Sequence, residues 1–251
     1  LESSATDTIN NYHLRAIRTP GRFDFTAGTK ESIKGYYLDS GDLYATVLGE
    51  FPILFEASGS IKDKQFDIYL EKIKANLKNI GSLLAIEDFK MKSGLLEGNF
   101  HLGGLVSDPE FTGNFVANDF LIAIPNYIPV DLLGKRVEIT AENNSFNIND
   151  ALFIHGKSQV GLDLQVLFDR WSFEELFIHV KTLNETLVPV DCNVLFIKLS
   201  ANATCDLEMF LTSSDFELNG NINAQDTIVY LALGGNESEE ATGDDNGFRM
   251  D

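Results

Sequence analysis

The stretch Leu162-Asp-Leu-Gln-Val-Leu-Phe168 decides the fold class of this chain. Its first, third, fifth and seventh residues are apolar, and the polar residues Asp163 and Gln165 stand between the first three. The side chains of a β-strand point alternately to its two faces, so this period of two is typical of a strand with one buried face.

The same alternation recurs along most of the 251 residues. Turn residues punctuate it, among them Asp39-Ser-Gly-Asp42, Ser107-Asp-Pro109 and Asn143-Asn144. We therefore predict antiparallel strands joined by short turns, which places the chain in the all-β fold class. Further alternating series begin at Phe51, Phe66, Phe100, Phe146, Ile178, Cys205 and Phe216.

The apolar phase changes near Asn118-Asp119. Phe111 and Phe115 occupy odd positions, whereas Phe120 occupies an even one. Because a shift by one residue turns every later side chain to the other face, we predict a turn or a β-bulge at this point.

Four further segments carry local predictions. Residues 77–86 have apolar positions at helical spacing and predict one short helix, although Gly81 weakens it. Residues 129–135 predict a turn of helix, and residues 200–202 predict a turn between strands. Residues 146–154 predict a strand in a single phase, with Leu152 on its apolar side.

Charge composition excludes one class of partner. The chain holds 19 Lys and Arg against 38 Asp and Glu, a formal net charge of −19. Such a surface repels phosphate backbones and anionic bilayers, so we expect no nucleic-acid partner. Residues 234–251 are rich in Glu, Asp, Asn and Gly, and predict an acidic flexible tail or loop after a folded segment 1–233.

The motifs of catalysis are missing from the sequence. It has no G-x-S-x-G elbow, no P-loop and no H-E-x-x-H, so we predict no enzyme, no cofactor and no metal. Of the four histidines, His101, His155 and His179 stand in the polar phase of their strands, which predicts an outer face rather than a cluster; the fourth is His13.

The two cysteines leave an alternative open. Cys192 and Cys205 are near each other in sequence, with the predicted turn between them. They would form a disulfide across neighbouring strands in an oxidising compartment, or remain two free thiols.

A glycine-leucine-proline unit resembles a known family. The chain carries the pattern G-x-L-x-G-x-x-x-L-x-G-x-x-x-x-P-x-x-x-G, followed by apolar strands. This unit resembles the AsmA-like superfamily, and within it the TamB-like (translocation and assembly module) proteins. The positions that carry the resemblance are Gly94, Leu96, Gly98, Leu102, Gly104, Pro109 and Gly113.

The resemblance implies an elongated, curved antiparallel sheet, a taco-like trough with an apolar concave face. It also implies a segment of a longer periplasmic protein that is anchored to the inner membrane. Such proteins are thought to bridge the two membranes and carry phospholipid, with an Omp85-type outer-membrane partner. The acyl chains of phospholipids would then lie along the trough.

In this interpretation the apolar residues of the strands line a lipid-binding groove; if the fold were a sandwich, the same residues would be ordinary core. The predicted groove residues are Phe100, Leu102, Phe111, Phe115, Phe120, Ile122, Phe146, Ile148, Leu162, Leu164, Val166, Phe168, Ile178, Val180, Leu207, Met209, Phe216 and Leu218.

Two other functions stay open at this stage. A structural scaffold or chaperone in outer-membrane β-barrel assembly would offer its sheet edges to client strands. A β-sandwich adhesin or carbohydrate-binding domain would present exposed aromatic residues. The single Trp171 and the scattered tyrosines argue weakly against the latter.

Overall fold

A computed structural model describes residues 13–28, 32–49, 51–84, 90–125, 128–194, 197–231 and 248–249. Within them the chain is almost entirely β-strand, as predicted. Its elements are β1 His13–Thr19, β2 Arg22–Gly28, β3 Ile33–Leu38, β4 Asp42–Val47, β5 Ile53–Lys62, β6 Gln65–Asn76, α1 Leu77–Leu84, β7 Lys90–Leu105, β8 Asp108–Ile124, β9 Ile128–Glu142, β10 Ser145–His155, β11 Ser158–Asp169, β12 Ser172–Thr182, β13 Val188–Val194, β14 Ile197–Thr212, β15 Phe216–Leu231 and β16 Phe248–Arg249.

All 16 strands belong to one open antiparallel sheet, in which sequence neighbours are sheet neighbours. The exception is β13, which pairs with the first half of β14, while β12 pairs with the second half. Strands stand about 4.8 Å apart, so the 15 strands on the main path extend over roughly 70 Å. The fold is thus an elongated, curved antiparallel trough, as predicted.

Ring contacts identify the concave face. Phe100 of β7 and Phe146 of β10 are separated by β8 and β9, yet their ring centroids are 6.2 Å apart. Three strand spacings in a flat sheet would separate the two backbones by about 14 Å. The sheet therefore curls toward the face that carries these phenylalanines.

Two glycines of the glycine-leucine-proline unit, Gly98 and Gly113, lie at this curl. Gly98 is paired with Phe115, and Gly113 is paired with Phe100. A Cβ atom added to Gly113 would lie 2.6 Å from the carbonyl oxygen of Asn99, and one added to Gly98 would lie 2.5 Å from the Phe115 ring. Both positions need glycine because the neighbouring strand and its ring occupy the space of a side chain.

A β-bulge at Asn118–Asp119 confirms the predicted change of phase. Asp119 has a φ of 49°, and the pairing of β7 with β8 shifts between Leu95 and Ser93. Strand β8 runs without a turn through this point, and Phe111, Phe115 and Phe120 share one face because of the bulge.

A second bulge overturns the single phase predicted for residues 146–154. Asp150 has a φ of 52°, and the register of β10 shifts between Ile148 and Ala151. Phe153 therefore points into the core, and Leu152, predicted to be inward, points outward.

Of the three other local predictions, one is confirmed and two are wrong. The helix predicted at residues 77–86 is confirmed as α1, whereas residues 85–86 lie outside the described residues. The helical turn predicted at 129–135 is wrong, because Leu132 and its neighbours pair with β8 as part of β9. The turn predicted at 200–202 is also wrong, because these residues lie inside β14.

Most of the predicted acidic tail lies outside the described residues. Residues 248–249 form β16, which pairs with Ile228 and Val229 of β15. The boundary at residue 233 stays a prediction.

Candidate lipid-binding trough

Strand register places the predicted groove residues on the concave face. Their exposure differs along the sheet. Most of them are half-buried, whereas Phe111, Phe120 and Ile122 are buried and Phe216 and Leu218 are exposed. That these residues bind lipid stays a prediction.

The three buried residues are covered by other side chains of the protein. Phe120 and Ile122 belong to a packed cluster with Leu132 and Phe153, and α1 and β13 cover this cluster through Leu77 and Val188. Phe111 is enclosed by the rings around it. In this structure α1 and β13 cover Phe120 and Ile122, and neighbouring aromatic rings surround Phe111. That cluster consists of Leu77, Ala117, Phe120, Ile122, Leu132, Val137, Ala151, Phe153, Val160 and Val188.

Trp171 lies at the other end of the central strands from α1 and β13. It covers that rim of the trough. Its Nε1 donates a hydrogen bond of 2.8 Å to the carbonyl oxygen of Val106, in the turn between β7 and β8. Its ring meets Phe66 and Phe111 edge-on, at centroid distances of 6.0 and 5.8 Å. The middle of the trough is thus covered at both rims. Sequence analysis missed this role because Trp171 lies in a turn, outside any periodic series.

The C-terminal part of the trough is open. Two lines of directly paired side chains, here called the apolar rows, cross the five strands β10, β11, β12, β14 and β15. At their end the exposed fractions of Phe216 and Leu218 are 63% and 57%. The first row is Phe146, Val166, Leu176, Leu211 and Phe216, and the second is Ile148, Leu164, Ile178, Met209 and Leu218.

Two members of these rows were not among the predicted groove residues. Leu176 continues the alternation of Ile178 and Val180, and Leu211 continues that of Met209. Extending the Ile178 series back by two residues would have found Leu176, and Leu211 already belongs to the alternating series that begins at Cys205.

Histidines on the outer face lie beside carboxylates. His179 Nε2 lies 2.8 Å from Asp206 Oδ1, and His179 Nδ1 lies 3.4 Å from Asp163 Oδ2. His101 Nε2 lies 2.9 Å from Asp67 Oδ1. Among the described residues no group of three or more His, Cys, Asp or Glu side chains is arranged to hold a metal ion.

The second bulge also moves one predicted histidine. His101 and His179 lie on the outer face as predicted, but His155 shares the phase of Phe153. It lies at the exposed end of β10, with its Nδ1 3.0 Å from the carbonyl oxygen of Asp131. The side chain of His13 lies outside the described residues.

The pairing of His179 predicts a pH-dependent contribution to stability. Its hydrogen bond to Asp206, with a further bond to Asp163, raises the pKa of His179 against the lowering effects of desolvation and Lys181. A raised pKa means that protonated His179 stabilises the folded state. This stabilisation is complete below the unfolded pKa of about 6.5 and is lost as pH rises through the higher folded value.

We therefore expect His179→Gln to lower the free energy of unfolding more at pH 5.5 than at pH 8.5, measured by urea denaturation. The control introduces His179→Gln into a chain that already carries Asp206→Asn. The loss of unfolding free energy relative to the Asp206→Asn chain differs less between the two pH values, because the main partner of His179 is absent. An equal loss at both pH values would contradict the account.

Backbone register separates the two cysteines. Cys192 is paired with Leu199, six residues before Cys205 on β14, a separation of about 20 Å along the strand. A disulfide needs Cα atoms within about 7 Å, so of the two alternatives left open by the sequence the disulfide is excluded, and Cys205 is a free thiol. Burial raises the pKa of the Cys205 thiol. The side chain of Cys192 lies outside the described residues.

Comparisons with protein-family models, curated proteins and solved structures return no match for this chain. The resemblance to TamB-like proteins therefore stays a prediction. Among the helices of the described residues, none is long and apolar enough to cross a membrane.

Proposed function

We propose that this chain shields lipid acyl chains in the C-terminal part of the trough. The observation that carries the proposal is the pair of apolar rows, which end in side chains that remain more than half exposed. A continuous apolar surface that is half-buried along its length and exposed at its end is typical of a binding site, because isolated exposed hydrophobes are ordinary but large patches are rare.

The chemistry of the rows favours sliding over tight binding. Each methylene group of an acyl chain contributes about 0.8 kcal/mol of binding free energy when it is buried. Successive strands offer similar side chains, so no single position binds the acyl chain more tightly than the next. The rows contain no charged side chain that would fix a headgroup. The periplasmic location, the inner-membrane anchor and the Omp85-type partner are proposed on the resemblance alone.

Leu218→Asp tests the proposal with little risk to folding, because Leu218 is already 57% exposed. We expect the purified variant to lose most of the phospholipid that copurifies with the wild-type chain, as measured by native mass spectrometry, since a charge beside hydrocarbon is costly. Asn219→Asp adds the same charge to the adjacent outer-face position and serves as the matched control.

Unchanged lipid in the Leu218→Asp variant, or equal loss in both variants, would count against an acyl-chain site on the concave face. So would the absence of any copurified lipid from the folded wild-type chain.

A scaffold for β-barrel assembly is the second candidate, favoured by one edge of the sheet. Within the described residues, β16 pairs only with Ile228 and Val229, so residues 216–227 of β15 have no strand on that side. An unpaired edge of this length is a template for strand addition. Crosslinks from client chains that concentrate on this edge, rather than along the apolar rows, would favour this function.

A further inference from the structure

The outer face of the N-terminal half carries a line of six side chains, four of them aromatic, that the sequence did not reveal. Its members come from six successive strands and are far apart in sequence, yet each is paired directly with the next. This line, here called the tyrosine row, consists of Tyr36, Tyr44, Ser58, Tyr69, His101 and Thr112.

The row contains two stacked pairs with a gap between them. The rings of Tyr36 and Tyr44 are stacked at a centroid distance of 5.8 Å, and those of Tyr69 and His101 at 4.2 Å. Between Tyr44 and Tyr69 stands only the small, exposed Ser58. The gap spans two strand spacings, about 10 Å, which is wider than one aromatic ring needs.

Unused hydrogen-bonding groups lie beside the second pair. A depression of about 290 Å³ is lined by Tyr69, His101, Asn99 and Asn114, among others. Asn99 and Asn114 are exposed and paired with each other across the strands. Their amides make no side-chain hydrogen bond with another described residue.

The charges around the row exclude an anionic ligand. The Lys72 ammonium is held 2.8 Å from Glu56, and Arg22 lies over the Tyr36 ring while bound to Asp24. These cations are already paired, and the chain as a whole carries a net charge of −19. The carboxylate of Asp67, 2.9 Å from His101 Nε2, and that of Glu71, in the lining of the depression, repel anions further. The aromatic rings, amides and hydroxyl groups beside them suit a hydroxyl-rich ligand without negative charge.

We propose that the tyrosine row binds a neutral oligosaccharide. The apolar faces of its sugar rings pack against Tyr44 and Tyr69 on either side of Ser58, and its hydroxyl groups bond to Asn99 and Asn114. This site is on the face opposite to the apolar rows, so it does not depend on the lipid-shielding proposal.

Isothermal titration calorimetry of the full chain with cellohexaose and with chitohexaose tests the site. We expect one of them to bind, and Tyr69→Ala to weaken that binding at least about ten-fold, since stacking on the ring is lost. Tyr69→Phe keeps the ring and retains the binding, which covers the case in which the alanine variant fails to fold. Tyr37→Ala is the control, because it removes a partly exposed tyrosine from the concave face. We expect it to leave the affinity for the hexaose unchanged.

Three results would overturn the site. They are the absence of binding by both hexaoses at millimolar concentration, equal affinity of Tyr69→Ala and the wild-type chain, and stronger binding of choline or of an acidic oligogalacturonate than of either neutral sugar. Copurified lipid would be unaffected by Tyr69→Ala, so failure here leaves the lipid proposal standing.

Discussion

The variant Phe153→Ala should lose about 3–5 kcal/mol of unfolding free energy, the range for removing a fully buried phenylalanine. Phe153 is 2% exposed, and its ring meets that of Phe120 edge-on at 6.0 Å. It also covers Gly134 on the neighbouring strand. Since α1 and β13 pack on this same cluster, the cavity cannot collapse without moving the layer that closes the rim.

Urea denaturation of Phe153→Ala and of Leu152→Ala measures the effect. Leu152 is the matched control, because it is the adjacent residue, is 38% exposed and points to the other face. We expect the control to lose less than about 1 kcal/mol. Equal losses in the two variants would contradict the bulge at Asp150 that sets their orientation.

Gly113→Val should destabilise the centre of the trough by about 1–3 kcal/mol, the usual cost of inserting a side chain into a packed space. The new Cβ atom would lie 2.6 Å from the backbone oxygen of Asn99 and 3.2 Å from the Phe100 ring. The backbone of β7 cannot move aside as a flexible side chain would. The valine side chain therefore forces β7 and β8 apart and reduces the curvature of the sheet.

The control for this variant is Thr112→Val, which puts the same side chain on the exposed outer face of the same strand. Thermal unfolding followed by circular dichroism should show a lower midpoint for Gly113→Val alone. A Gly113→Val chain as stable as the control would mean that the two strands do not approach each other at this glycine.

The strand content and the identity of the apolar face followed from alternation alone, because one buried face forces a period of two. The bulge at Asn118–Asp119 was also predictable, since it leaves a visible change of phase between Phe115 and Phe120. At Asp150 no such signal exists, because Leu152 and Phe153 are both large and apolar. Either phase would bury one of them.

Long-range contacts explain the other failures. Nothing local to Trp171 indicates a hydrogen bond to Val106, 65 residues away. Likewise Tyr36, Tyr44 and Tyr69 look scattered until the register of four strands is known. Helical spacing at residues 129–135 was overridden by pairing with β8, since tertiary context outweighs weak local propensity.

Photo-crosslinking with a phospholipid that carries a diazirine at the end of one acyl chain tests the central claim most directly. After irradiation of the loaded chain, peptide mass spectrometry should place adducts on Leu164, Ile178, Met209 and Leu218 of the second apolar row. It should place none on Phe177 and Phe210, which form an aromatic pair on the outer face and control for non-specific attraction to hydrophobic side chains. Adducts on Phe177 and Phe210 at the same level as on the row, or none on the row of a folded chain, would contradict the claim.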